Sequence, residues 1–318
     1  MSKNKKFVVI KPPLRVKYKK FCKHIRDRHR KNYIYYENDK LKINIHFLMN
    51  LLIEKLKPPI NQAYVRHKKY KESDFVDAII DVIQNNTYWN RYKGLVPGKY
   101  LNRKHNDYCK WNVYECLYRI ILKEYYSTDK YAKLHYQSID STFVTNLYGS
   151  ELYGRNVKYK SKNGINVSLI TDALGVPNSV ALAPGNRHDS VVAKEQLESS
   201  FFVDPNTKKV RNNNKYSQKM LGDAAYHDND LYAKLIKKGY TPITDVNKRK
   251  TKDKDKIKQL NKMKRKYLKN SFKRIVIENC NAWIKKFPKI SRVIEKTTRS
   301  FNGLLLLSLT HIVNNKLG

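Results

Sequence analysis

None of the four cysteines (Cys22, Cys109, Cys116 and Cys280) stands in a Cys-x-x-Cys pair, so neither a zinc ribbon nor a disulfide framework is supported. His105 and Cys109 share helical spacing, with Cys116 further on, and read as packing; reduced, intracellular thiols are the expectation. The longest apolar run, Leu304 to Leu307, is far too short to span a bilayer, and the opening MSKNKKFVVIKPP has no apolar stretch of signal-peptide length. Internal repeats and Gly-rich linkers are absent. Acid is scarce: 27 Asp plus Glu against 66 Lys plus Arg leave a formal charge of +39. A chain this basic is expected to associate with a polyanion, of which nucleic acid is the commonest. Twelve per cent aromatic residues, with 24 Tyr, exclude a disordered basic tail. The abundance of Lys, Asn, Ile and Tyr also fits an AT-rich coding genome, so charge alone names a partner class and no more. The expectation is a soluble, intracellular protein kept with nucleic acid (cytoplasm and nucleoid, or a nucleus) and not with a membrane.

At 318 residues, two domains are expected. Residues 1–130 read as a small, helical, basic, DNA-binding domain. Met1 to Tyr36 gathers Lys17, Lys19, Lys20, Lys23, Arg26, Arg28, Arg30 and Lys31, an arm or helix suited to lying along phosphates, or a solvated terminus. Helical spacing follows from Leu41 to Lys57, from a Ser73 cap to Ile83, and from Asn112 to Tyr125; a helix-turn-helix is compatible with this order. Near His135 the texture changes. HYQSID reads as a strand ending in Asp140, and INVSLITDALGVPNSVALAPG as two strands around the turn Asp172 to Gly175. A helix follows Asp189, a short strand runs into Asp223, a helix closes at Gly239, and TPITDV is a last strand. This order predicts an α/β, ribonuclease-H-like domain, a mixed sheet flanked by helices, over residues 131–318. Residues 248–274 then carry fourteen Lys or Arg and two acids, so that the basic segment 248–270 is placed to track a phosphate backbone. The apolar helix Leu304 to Val313 is expected beneath the catalytic layer.

Phe272 to Phe287 reads as one helix. Ser271, Arg274, Glu278 and Lys285 fall on a narrow polar stripe; Phe272, Val276, Cys280, Trp283 and Phe287, beside Ile277 and Ile284, form the apolar face. Taken alone, Arg274 and Glu278 are an i, i+4 surface ion pair. Asp140 and Asp223, however, both lie where α/β sites are assembled. Three converging carboxylates repel one another unless cations neutralise them, and oxygen ligands suit Mg²⁺ or Mn²⁺. Two such ions would serve in-line phosphodiester chemistry. Asp172 reads instead as a turn residue and Asp189 as a helix N-cap.

These motifs, in this order, resemble the DDE transposases of the bacterial insertion-sequence type, in the group whose last motif is Y-x2-R-x3-E-x6-K. Arg274-x3-Glu278-x6-Lys285 matches in full, Ser271 stands at the Tyr position, and Tyr267 lies one turn upstream. Ile139-Asp140, Gly222-Asp223-Ala224-Ala225-Tyr226 and the loop Gly185 to Asp189 are similar to the family's other motifs, and the likeness runs from about Tyr136 to Lys316. The resemblance implies that Asp140, Asp223 and Glu278 bind two Mg²⁺ or Mn²⁺ ions, and that Arg274 and Lys285 contact DNA near the cleaved phosphate. Arg155, Lys158, Lys160 and Lys162 are further candidate DNA contacts, and Tyr226 and His188 near-site residues. The function implied is cleavage of element ends and transfer of their 3′-hydroxyls to target double-stranded DNA, by a dimer or larger assembly on terminal inverted repeats. Two other readings stay open: a domesticated protein that binds DNA without cutting, and a ribonuclease-H-like nuclease without strand transfer.

Overall fold

The computed structural model describes residues 16–59, 70–85, 87–127, 136–149, 151–197, 218–246 and 253–317. These fall into two units: a helical unit, 16–127 with 284–317, and an α/β unit, 136–283. The part of the basic arm over residues 1–15 lies outside the described residues, as does 248–252 of the basic segment.

The helical unit opens with α1 (Val16–Tyr33) and a hairpin of β1 (Ile34–Glu37) and β2 (Lys40–Ile43). It continues through α2 (Ile45–Leu56), α3 (Glu72–Gln84), α4 (Gly98–Lys110) and α5 (Val113–Tyr126). Fully buried Glu124 on α5 holds it together: Arg26 Nε donates at 2.7 Å, Arg30 Nε at 2.9 Å and Tyr33 Oη at 3.0 Å. Arg26 and Arg30 are therefore engaged by Glu124, although Arg30 stays half exposed. Ser73 does not cap α3. Lys71 occupies the cap position, its backbone N–H donating to Asp74 at 2.8 Å. His105 is packed, as its spacing implied: its ring is buried against Trp89 and Tyr114, with Nδ1 2.8 Å from Tyr114 Oη and Nε2 3.0 Å from the Ser300 carbonyl.

The α/β unit is built on β3 (Tyr136–Asn146), β4 (Gly154–Asn156), β5 (Lys162–Asp172), β6 (Pro177–Pro184), β7 (Gln218–Gly222) and β8 (Tyr240–Thr244). The order is β6-β5-β3-β7-β8, with β4 extending the β6 edge of β5. β3, β5 and β6 are antiparallel neighbours, whereas β7 runs parallel to β3 and β8 to β7. This is the ribonuclease-H-like arrangement. β5 is buried at every position from Gly164 to Asp172, as a strand covered on both faces must be. Among the helices, α6 (Asp189–Gln196) packs on the sheet through Val192 against Ala181 and Ala183, and Gln196 hydrogen-bonds Ser168 and Ser179. α7 (Asn229–Lys238) packs against β8 and ends at Gly239, whose φ of +93° suits a residue without a side chain. The basic segment forms α8 (Lys254–Leu268), capped by Asp253, and has no buried residue.

Two expectations change here. β3 does not end at Asp140; it runs on to Asn146, because Ser141 to Thr145 keep pairing with β5 as far as Thr145–Gly164. The late helix begins as a 3-10 turn, Ser271–Arg274, and becomes α9 (Ile275–Lys285) only afterwards. Its buried line is consequently Ile277, Cys280 and Ile284, while Phe272 is 69% exposed.

The chain returns to the helical unit with α10 (Pro288–Ser291) and α11 (Thr298–Asn315). α11 packs against α4, α5 and α10, so residues 284–317 group with the helical unit, whereas 131–318 was expected as one domain. The reason lies in its all-round apolarity. Phe301, Leu304, Leu305, Leu306, Leu307, Leu309 and Val313 are all buried and need neighbours on every side. Gly303 permits the approach, since a Cβ there would lie 2.4 Å from Cys109 Sγ.

Candidate active site

Asp140 sits in mid-β3 opposite Leu169, with its side chain one-fifth exposed. Parallel β7 ends at Gly222, and Asp223 follows at the sheet edge. Its Oδ1 accepts from Ala225 N at 2.8 Å, closing a tight turn that brings Tyr226 back beneath the strand. A Cβ on Gly222 would stand 3.0 Å from the Tyr226 ring, which accounts for glycine before the acid.

Asp140 is clamped from α9 and from the 3-10 turn before it. Asn281 Nδ2 donates to its Oδ2 at 2.9 Å, and the Arg274 guanidinium lies 3.7 Å from Oδ1. Burial pushes the Asp140 carboxyl up to about 6; Arg274 opposes this, and the charges of Asp223 and Asp189 add to it. Arg274 also donates to Tyr267 Oη at 3.3 Å. Tyr267, upstream of the substituted Tyr position, thus reaches the motif's arginine, while Ser271 turns to the Leu268 carbonyl at 3.0 Å.

Glu278 lies between the two residues that grip Asp140, one helical turn after Arg274 and about 4.5 Å along the axis from Asn281. It is exposed, and among the described residues it has no ion pair; Arg274 serves Asp140 instead of the expected i, i+4 partner. No three His, Cys, Asp or Glu side chains among the described residues stand at metal-holding spacing. The structure therefore brings together Asp140, Asp223, Arg274 and Tyr226, and leaves Glu278 on the adjoining open face. Lys285 is exposed on the last turn of α9.

Tyr226 is buried, and burial followed by Asp189, Asp140 and Asp223 holds its phenol well above the ordinary value. Asp189 is not the cap of α6. His188 occupies that position, exposed, with Nδ1 3.0 Å from Ser190 Oγ, and Asp189 accepts from Ser141 Oγ at 2.5 Å. Asp189 is thereby a second carboxylate, beside Asp223, whose charge acts on Asp140, which its place just after a histidine in a loop did not disclose. Asp172 is the turn residue expected: its Oδ1 accepts from Leu174 N and Val176 N, both at 2.9 Å. Gly175 in that turn has φ +80°, and a Cβ would lie 3.1 Å from the Val276 carbonyl of α9. Arg155, Lys158, Lys160 and Lys162 are exposed around β4 and the start of β5. Lys162 is seven residues from Leu169, roughly 23 Å along the strand, so these cations stand away from Asp140.

The family described as the transposase DDE domain matches residues 137–313. The chain belongs to that family. No curated protein matches it. Membership agrees with the mixed sheet flanked by helices, and gives the protein a transposase-type function with DNA as its partner. DDE transposases generally use divalent metal ions. No helix among the described residues is long and apolar enough to cross a membrane.

Proposed function

We propose that this protein cleaves the ends of a mobile element by metal-dependent phosphodiester hydrolysis and joins the resulting 3′-hydroxyls to target DNA. The observation that carries this is the grip of Arg274 and Asn281 on Asp140, with Glu278 between them on the same helix face and Asp223 close enough to raise the Asp140 carboxyl. The donors suit a hard divalent cation, because all are carboxylate oxygens and the half-buried Asp140 and Asp223 carry charge that Arg274 offsets only in part. Asp140 and Asp223 would hold Mg²⁺ or Mn²⁺, with Glu278 as the third acid once its side chain turns inward. When bound, two such ions supply an activated attacking oxygen and stabilise the leaving one.

The chain's own residues do the rest. Arg274 places a fixed positive charge where the scissile phosphate gathers negative charge. Tyr226 walls the carboxylates on the protein side and keeps that side dry. α8, Lys285 and the cations around β4 are suited to successive backbone phosphates on either side of the cleaved bond. Both chemical steps are in-line displacements at phosphorus, so one set of acids serves both. Two element ends must meet, which calls for at least two copies of the protein on the DNA, bound at terminal inverted repeats.

The test is strand transfer. A labelled, pre-cleaved end from the flanks of this gene, incubated with the full-length protein, Mn²⁺ and a supercoiled plasmid, should yield label covalently joined to plasmid. Cleavage of an uncut end without joining would reduce the activity to that of a nuclease, and binding without either would leave a non-cutting DNA-binding protein.

A further inference from the structure

Within the helical unit, Lys289 is 2% exposed, and its ammonium has no hydrogen-bond acceptor among the described residues. It rests against aromatic faces, 4.6 Å from the Trp89 ring centroid and 5.6 Å from that of Tyr88. The nearby carboxylate is already engaged: Glu295 Oε1 accepts from Trp89 Nε1 at 2.9 Å, and Oε2 from the Ser300 hydroxyl. Burial consequently pulls the Lys289 ammonium down to about 8, with Glu295 opposing only partly. Lys289 lines a pocket of about 330 Å³ together with Tyr88, Pro288, Ser291, Arg292 and Ile294. Arg292 is exposed there, and Arg91 lies 5.5 Å from the Tyr88 ring. The Ser291 hydroxyl already donates to the Pro288 carbonyl at 3.1 Å, so Lys289 and Arg292 are the donors left to an incoming group.

A buried ammonium without an acceptor is costly unless something supplies one. A second cation at the same pocket makes the missing group an anion, and a guanidinium and an ammonium are both donors that a tetrahedral oxyanion can accept from. We propose that this pocket binds a phosphate group, with Lys289 and Arg292 donating to its oxygens and Arg91 as the outlying cation. The source is a phosphate of the nucleic-acid backbone. That choice of source rests on the function proposed above, whereas the pocket's anion chemistry does not.

The experiment uses the full-length protein in two arms. The first follows binding of a fluorescent 30-base-pair duplex across a salt series. Arg292→Gln and Lys289→Met should each flatten the slope of log K against log salt by about 0.9, the value for one lost phosphate contact. The second follows Trp89 emission, isolated by comparison with Trp89→Phe, as inorganic phosphate is titrated. Emission should shift in the wild type and respond weakly in Arg292→Gln, an exposed substitution that leaves the core intact. Unchanged duplex slopes with a phosphate response lost in the variants would overturn the backbone source and leave a free-phosphate site. Unchanged slopes with no response to phosphate would overturn the pocket altogether. Failure of the wild type to bind duplex would count against the proposed function, while the phosphate arm still decides the pocket.

Discussion

Asn281 donates its amide N–H to Asp140 Oδ2 at 2.9 Å, joining the late helix to the central strand one turn beyond Glu278. The amide is nine-tenths buried, and its Oδ1 has no partner among the described residues. Such an arrangement holds a carboxylate in one rotamer and fixes the distance between strand and helix. Asn281→Ala should therefore weaken cleavage by roughly 10–100-fold, the usual penalty for losing a group that orients a metal-binding side chain. The rise in melting temperature on adding Mn²⁺ should shrink in parallel. A full thermal response to Mn²⁺ in the variant would show that Asn281 does not position Asp140.

Asp140 itself should be a source of instability. Displacement of its carboxyl from 3.8 to about 6 corresponds to on the order of 3 kcal/mol of native-state cost for the ionised form. Because the folded pKa is raised, the cost is absent below about pH 4, grows as pH rises, and is complete above about 6. Asp140→Asn should accordingly raise the metal-free melting temperature at pH 7.5 and leave it nearly unchanged at pH 4. A lower melting temperature at pH 7.5 would mean that the hydrogen bond from Asn281 outweighs the burial of charge.

Tyr267 and Ser271 divide the position that the motif gives to one tyrosine. Since Arg274 donates to Tyr267 and Ser271 faces the Leu268 carbonyl, Tyr267→Phe should lower cleavage several-fold and Ser271→Ala should leave it unchanged. Arg274→Gln should cost about 100-fold or more, having removed the fixed charge beside Asp140. A larger effect at Ser271 than at Tyr267 would assign the motif's first role to residue 271.

Glu124 should govern the acid stability of the helical unit. Burial pushes its carboxyl up, but hydrogen bonds from Arg26 and Arg30 hold the net value below the ordinary range. A depressed acid stabilises above its unfolded pKa of about 4.5, and that stabilisation is lost as pH falls through the folded value. Glu124→Gln should cost about 1–3 kcal/mol at neutral pH, because two partly exposed guanidinium groups lose their counter-charge. Urea unfolding at pH 7 and pH 3 should show the variant's deficit at the higher pH and much less at the lower.

Strand periodicity and the Gly-Asp and Asp-to-Gly turns were enough to lay out the sheet, because local chemistry decides those elements. Gly222, Gly175 and Gly239 each occupy the place their turns require. What escaped was decided by distant partners. Nothing around Asp140 announces that β3 continues, since that depends on pairing with β5. Asn281 lies on the same polar stripe as Glu278 and was open to the same spacing argument, but an uncharged amide gives no charge pattern to follow. Arg26 and Arg30 read as arm residues until Glu124, more than ninety positions away, claims them. α11 is plainly apolar in the sequence. Only the burial of its whole circumference shows that it needs helices around it.

The measurement that bears most directly on the account is Mn²⁺-dependent cleavage of a labelled DNA end from the flanks of this gene, comparing wild type with Asp140→Asn, Asp223→Asn and Glu278→Gln. Each substitution removes one charge while keeping size. All three should abolish nicking while duplex binding persists, although Glu278 stands apart from the two aspartates in the structure. Undiminished nicking by Glu278→Gln, with activity lost in both aspartate variants, would contradict its assignment as the third acid.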